Sequence, residues 1–122
     1  MIKKTLVLGA SLKSVRYSNI AIEMLREYHH PVVAFGLRKG IVNDVEIVTS
    51  LTQIEEENID TITLYLNPKR QKEYYQFILN LKPKRVIFNP GTENLELMQL
   101  LDKKNIFYEV ACTLTLLRTN QF

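Results

Sequence analysis

Between Gly9 and Ser18 the chain places four hydroxyl side chains, Ser11, Ser14, Tyr17 and Ser18, beside two cations, Lys13 and Arg16. No carboxylate precedes Glu23. The chemistry this set suits is anion binding. An Arg guanidinium grips a phosphate through two parallel N–H bonds, and Lys supplies a mobile point charge. Gly9 allows a tight turn or a close backbone approach. The flanking residues complete the pattern. Thr5–Gly9 is a short apolar run that reads as a buried strand. From Ser18 onward, Ile20, Ala21, Met24, Leu25 and Tyr28 follow helical spacing, with Ser18 as the N-cap. A helix that starts there aims its free N–H groups at an anion in the loop. The same residues also suit an ordinary solvated loop, so the cluster alone leaves ligand binding and solvation open.

Two comparisons narrow the chemistry. A dinucleotide fingerprint, G-x-G-x-x-G, would need glycine at positions 11 and 14, and both are Ser. A phosphate loop of the G-x-x-x-x-G-K-[ST] kind is absent as well. At the end of the second predicted strand, NAD sites carry Asp or Glu for the ribose hydroxyls. This chain instead reads Phe35-Gly36-Leu37-Arg38-Lys39-Gly40. That basic end favours a ribose bearing an extra phosphate, which coenzyme A and NADP both carry. Two solvated surface cations are the alternative at this position.

The elements that must position these residues follow from hydrophobic periodicity. Pro31 stops the first helix, and Pro31–Gly36 forms the second strand. Leu37–Asp44 reads as a polar connection, Val45–Val48 as a short extended piece and Leu51–Glu57 as a short helix. Thr61–Leu66 is a β-branched strand. Asn67-Pro68 opens a helix, Asn as cap and Pro in the first turn, with Tyr74, Tyr75, Ile78 and Leu79 on its buried stripe. Arg85–Phe88 is a strand, Asn89-Pro90-Gly91 a turn, and Thr92–Lys104 a helix carrying Leu97, Met98, Leu100 and Leu101. Ile106–Val110 is the last strand and Cys112–Leu117 a closing helix or turn. Strands alternating with helices at this spacing predict a parallel α/β sandwich with right-handed crossovers.

Size and charge set bounds. The 122 residues fit one domain over 1–122, and 46% hydrophobic with 24% charged residues is a globular composition. The longest apolar runs fall well short of a bilayer span, and the Met1–Gly9 segment is too short for a signal peptide. The net charge of +3 is modest and its basic residues are scattered among acids, so nucleic acid is not an expected partner and neither is a membrane. A single cysteine excludes an internal disulfide and suits a reducing cytoplasm.

Candidates for catalysis are few. His29 and His30 are adjacent at a helix end, where imidazolium caps favourably, and two neighbouring His make a poor metal site. Cys112 has Ala111, Thr113 and Leu114 around it and reads as a buried structural thiol. The Glu55–Glu57 run reads as a solvated helix face.

The sequence resembles the small CoA-binding proteins, whose Rossmann-like fold also forms the N-terminal CoA-binding domain of the succinyl-CoA synthetase α subunit. The shared first-loop pattern is Gly-x-Ser, then Arg seven residues after the Gly and Ser nine after it. Gly9, Ser11, Arg16 and Ser18 stand at those spacings. The resemblance continues through Leu66-Asn67-Pro68, Asn89-Pro90-Gly91 and Cys112. It departs at Ser14, where many relatives have Pro, and at Gly36-Leu37, where many have Asn-Pro. The resemblance implies a Rossmann-like three-layer sandwich with a mainly parallel five-stranded sheet. It implies that Gly9, Ala10, Ser11, Lys13, Arg16, Tyr17 and Ser18 hold a diphosphate. Arg38 or Lys39, after Gly36, would take the ribose phosphate, and Leu66, Asn67 and Pro68 would line the nucleotide or pantetheine path.

The expectation is a cytoplasmic domain that binds coenzyme A or an acyl-CoA as a carrier, sensor or regulatory module, without a catalytic site of its own. A reductase using NADP is one alternative. A ligand-free interaction module, contacting a protein partner or a second copy through Tyr65, Tyr74, Tyr75 or Leu114–Leu117, is another.

Overall fold

The computed structural model describes residues 2–54 and 57–122. Seven strands form one sheet in the order β3-β4-β2-β1-β5-β6-β7. They are β1 (Thr5–Ala10), β2 (Val32–Gly36), β3 (Gly40–Val42), β4 (Val45–Val48), β5 (Thr61–Leu64), β6 (Arg85–Phe88) and β7 (Phe107–Val110). All neighbouring pairs are parallel except β3 with β4. The helices are α1 (Tyr17–Glu27), α2 (Pro68–Gln71), α3 (Tyr75–Leu81), α4 (Leu95–Lys103) and α5 (Thr113–Arg118).

Two apolar clusters make this a three-layer α/β fold. On one face, α1 and α5 cover Val7, Ala34 and Ile47 with Ile22, Leu25 and Leu117. On the other, Tyr74, Ile78, Leu97 and Leu101 from the segment 72–103 pack on Leu6, Leu8, Ile62, Leu64, Val86 and Phe88. Strand residues alternate between the clusters, Leu6 and Leu8 one way and Val7 the other, as the pleat dictates. The central strands β5 and β6 are buried along their whole length, which is why they read as uninterrupted apolar or β-branched runs.

The sheet is larger than the expected five strands, and it is mixed. One added strand, β3, lies in the connection read as polar, Leu37–Asp44, and the other, β4, is the short extended piece expected over Val45–Val48. Gly40–Val42 turns back on Val45–Val48 through Asn43 and Asp44, with Asn43 in the left-handed region at φ 57°. The turn is anchored to α1: Arg26 donates two bonds to the Asp44 carboxylate, at 2.8 and 2.9 Å, and Asn43 Nδ2 donates to Glu23 Oε1. The expected Leu51–Glu57 helix is a 3-10 turn over Leu51–Gln53, and residues 55 and 56 of the expected helix lie outside the described residues. On α1 the buried stripe is Ala21, Ile22 and Leu25, and Tyr28 is exposed. Tyr74, Leu114, Leu116 and Leu117, considered above as a contact surface, are core residues.

Candidate functional site

A crevice of about 570 Å³ opens at the carboxyl ends of β1, β2 and β5. There the chain leaves the central strand β1 toward β2 on one side, while β5 continues the sheet on the other. This is the switch point at which open α/β sheets bind ligands.

The first wall is the β1–α1 loop, and its shape follows from two close approaches. Gly9 sits at φ +104° in a register shift, so that Leu8 pairs with Phe35 but Ala10 with Gly36. A Cβ on Gly9 would lie 3.0 Å from the Tyr65 carbonyl carbon, and one on Gly36 would lie 2.3 Å from the Ala10 oxygen. Only glycine fits at Gly36 without moving backbone. Beyond the bulge the loop is held by its own polar groups. Lys13 N–H donates to Ser11 Oγ, Arg16 N–H donates to the Lys13 carbonyl, and Asn19 Nδ2 donates to the Ser11 carbonyl at 2.9 Å.

The helix begins two residues earlier than the serine suggested. Arg16, extended at φ −77° and ψ 141°, is the N-cap, and no side chain caps the first turn. Ser18 lies inside the helix and is 4% exposed, because the Lys13–Arg16 turn has already committed the backbone. The first-turn N–H groups are therefore not occupied by a capping side chain, and the turn holds no acidic residue. That is the arrangement in which a helix start receives an anion.

Of the residues singled out from sequence, Gly9, Ala10, Ser11, Lys13, Arg16, Tyr17 and Ser18 all line the crevice, joined by Gly36, Arg38, Leu66 and Asn67. Lys39 and Pro68 do not line it. Pro68 is the first residue of α2, and Lys39 leads into β3. Sequence reasoning missed Leu12, Phe35 and Leu37, which rim the basic side, and Tyr65, Arg70 and Tyr74 on the other side. Pro90-Gly91, read as a turn and as part of the family resemblance but not as site residues, closes the far wall together with Thr92.

Buried amides brace that wall. Gln71, fully buried, donates through Nε2 to the Leu66 and Thr92 carbonyls, both at 2.8 Å, and so ties the loop after β5 to the loop after β6. Its Oε1 accepts from Asn94 Nδ2, and Asn94 Oδ1 caps α4 through the Leu97 N–H. Asn89 performs a similar service. Its Nδ2 donates to Thr63 Oγ1 and the Leu64 carbonyl, and its Oδ1 accepts from the Thr113 N–H.

Four cations, Lys13, Arg16, Arg38 and Arg70, line the crevice, and among the described residues no Asp or Glu does. Burial pushes the Tyr65 phenol up to about 12, against hydrogen bonds with Thr63 and Thr113, so it enters the wall as a neutral group. The histidines and the cysteine stand elsewhere. His30 is buried and accepts the Lys3 N–H at Nδ1, so it is not the cationic cap expected from its place in the sequence. Cys112 is half-buried at the N-cap of α5. Burial raises its thiol, but hydrogen bonds from Thr115 and Leu114 and the charge of Arg118 outweigh it and draw the thiol below its ordinary value. The buried structural thiol read from its neighbours in sequence is thus only half-buried, and α5 turns its first N–H groups on the sulfur.

Comparison with known proteins agrees with this geometry. The chain is similar over its full length to a crystal structure of an uncharacterized protein, with 43% identity, a TM-score of 0.94 and 99% of that chain covered. A protein from Thermus thermophilus shares the fold at 22% identity and a TM-score of 0.87, over 99% of this chain and 91% of that one. A hypothetical protein from Pyrococcus horikoshii OT3 matches at 26% identity and a TM-score of 0.81, over 92% and 79%. Among curated proteins nothing matches. The family model described as a CoA binding domain matches residues 3–118, which include every strand, every helix and the whole cationic crevice, and the protein therefore belongs to the CoA-binding domain family.

Proposed function

We propose that the crevice binds coenzyme A or an acyl-CoA and that the protein acts as a carrier, sensor or regulatory module without a catalytic site of its own. The observation that carries this reading is the charge of the crevice, with four lining cations and, among the described residues, no lining carboxylate, in a chain of the CoA-binding family. In this reading the loop Gly9–Ser18 takes the diphosphate at the uncapped start of α1, with Arg16 and Lys13 supplying charge. Arg38, with Lys39 beside it in the chain, takes the ribose phosphate, and Gly36 lets β2 approach the loop closely enough to complete the pocket. Leu66, Asn67 and Pro68 border the pantetheine path. A non-catalytic role suits a wall whose amides are spent on bracing and whose tyrosine is neutral. A single cysteine and the CoA ligand suit the cytoplasm, and among the described residues no helix is long and apolar enough to cross a membrane.

The test is calorimetric titration of the reduced protein with coenzyme A and then with dephospho-CoA. Binding of coenzyme A that weakens about tenfold or more without the ribose phosphate is the expected result. No heat and no thermal stabilisation with coenzyme A overturns the reading, and equal affinities remove Arg38 and Lys39 from the phosphate role.

One observation favours a partner as well. Val15, Tyr17 and Leu37 stand at the crevice side of the molecule with 83%, 71% and 70% of their surface exposed. A protein partner or second copy that covers the loaded crevice would bury them, and light scattering with and without coenzyme A reads that association directly.

A further inference from the structure

The wall of the crevice across from the Gly9–Ser18 loop is built by Leu66 and Asn67 after β5, by Arg70 and Tyr74 along the helical segment that follows, and by the turn Pro90–Thr92 after β6. Most of its polar groups are spent on the protein itself. Asn67 Oδ1 accepts the Arg70 N–H at 2.9 Å, and the Thr92 hydroxyl donates to the Asn89 carbonyl at 2.8 Å. The Leu66 and Thr92 carbonyls accept from Gln71. Arg70 differs from these. Its backbone is pinned by the Asn67 cap and by Pro68 in the first turn, yet among the described residues its guanidinium has no hydrogen-bond or ion-pair partner. Glu73, three residues on, makes no ion pair with it and does not line the crevice.

This wall also has room. Pro90 and Gly91 are exposed, a Cβ on Gly91 would meet no atom within 4 Å, and the Gly91 N–H donates to Glu93 Oε1 at 2.8 Å. The turn beside Gly91 is thus open to an incoming acyl end, and Glu93 does not line the crevice.

We infer that Arg70 and the open space beside Gly91 form an acyl subsite that selects acyl-CoA thioesters ending in a carboxylate. The inference rests on the CoA reading. Lys13, Arg16 and Arg38, on the loops after β1 and β2, face the phosphates in that reading, and Arg70 is the one lining cation that comes from the opposite wall. A guanidinium gains nothing from a neutral alkyl end, but it takes a carboxylate through two parallel charge-assisted bonds. The Asn67 cap holds the Arg70 backbone in place whether or not a ligand is bound, so part of the ordering cost is met in advance.

The experiment compares glutaryl-CoA with pentanoyl-CoA, equal in acyl chain length and different in the terminal carboxylate, by titration of the whole protein, with coenzyme A itself as the reference ligand. The expected result is a preference of about tenfold for glutaryl-CoA in the native protein. The preference falls to about one in Arg70→Gln and is partly kept in Arg70→Lys, which retains charge but not the planar fork. Equal affinities in the native protein, or an undiminished preference in a folded Arg70→Gln, overturn the inference while leaving the CoA reading intact. Failure of coenzyme A itself to bind overturns both.

Discussion

Arg16 serves the site through backbone and side chain separately. Its extended backbone ends the loop, and its carbonyl accepts from the Asn19 and Ile20 N–H groups at 3.0 and 3.1 Å. Its guanidinium enters none of these bonds. Arg16→Ala should therefore keep the helix start and lose only the phosphate contact. The expected outcome is a fall of about ten- to a hundredfold in affinity for coenzyme A, the scale of one lost charge-assisted interaction, with an almost unchanged unfolding midpoint. Titration and thermal unfolding of one preparation check both halves, and unchanged affinity would remove Arg16 from the site. Ser18 is a poorer probe. It is buried within the first turn, so replacing it would disturb packing and ligand together. At this scale the basic and hydroxyl cluster was legible from residue type, because charge and donor chemistry belong to the residue itself. Arg70 and Thr92 were not, since nothing in their local sequence says that α2 and the loop after β6 close one wall.

At the scale of elements, the helix ends show how the chain spends its glycines. His30 N–H donates to the Leu25 carbonyl and His29 N–H to the Arg26 carbonyl, the paired bonds of a Schellman cap, with His29 left-handed at φ 67°. The same pair of bonds ends α4 around Asn105 and α5 around Asn120, each at φ 57°. None of these positions is glycine; three of the four glycines line the crevice, and the other, Gly40, packs on Leu12 at its rim. A histidine at a left-handed cap carries a Cβ penalty that glycine lacks. His29→Gly is expected to stabilise the fold by about 0.5–1 kcal/mol, the relief of strain exceeding the added freedom of the unfolded chain. Denaturant unfolding with an unchanged slope would show it, and a lower midpoint would mean that the His29 side chain contributes more than its conformation costs. The same elements explain what could be read in advance. Strands β1, β2, β5 and β6 were legible because burial on both faces leaves long apolar runs. Of the β3–β4 hairpin only Val45–Val48 was legible, as a short extended piece; β3 was not, because Gly40–Val42 is short, carries an exposed Ile41 and depends on Arg26 of α1 to hold its turn. The start of α1 was misplaced by two residues, because the Lys13–Arg16 turn, rather than a serine side chain, sets where the helix begins.

Across the whole molecule, chemistry is divided between the two ends of the sheet. The carboxyl ends of the strands hold the cationic crevice; the amino ends hold an aromatic and basic clasp. There the Phe122 ring lies 4.9 Å from the His30 ring and 4.4 Å from the Arg85 guanidinium, and Lys3 Nζ donates to the Phe122 carbonyl. Arg85 also donates to Thr61 Oγ1 and Glu109, so this clasp ties the ends of β5, β6 and β7 to the segment before β1. His30 must be neutral to belong to it, since Nδ1 accepts the Lys3 N–H and a proton there would remove the acceptor. Burial, chiefly, and then the charges of Lys3 and Arg85 hold its pKa below the ordinary value of 6.5, with Asp60 opposing weakly. In the unfolded chain those causes vanish, so the unfolded protein takes up a proton on His30 at a pH where the native protein has not. Stability from this group is fully present above pH 6.5 and is lost as the pH falls from there through the lower native pKa. The unfolding midpoint should accordingly drop on acidification below about pH 6.5. His30→Asn, which keeps a side-chain acceptor and cannot titrate, should flatten that part of the profile. Thermal unfolding of both proteins between neutral and mildly acidic pH decides the matter: parallel profiles would place the acid sensitivity in other groups and leave His30 only a packing role.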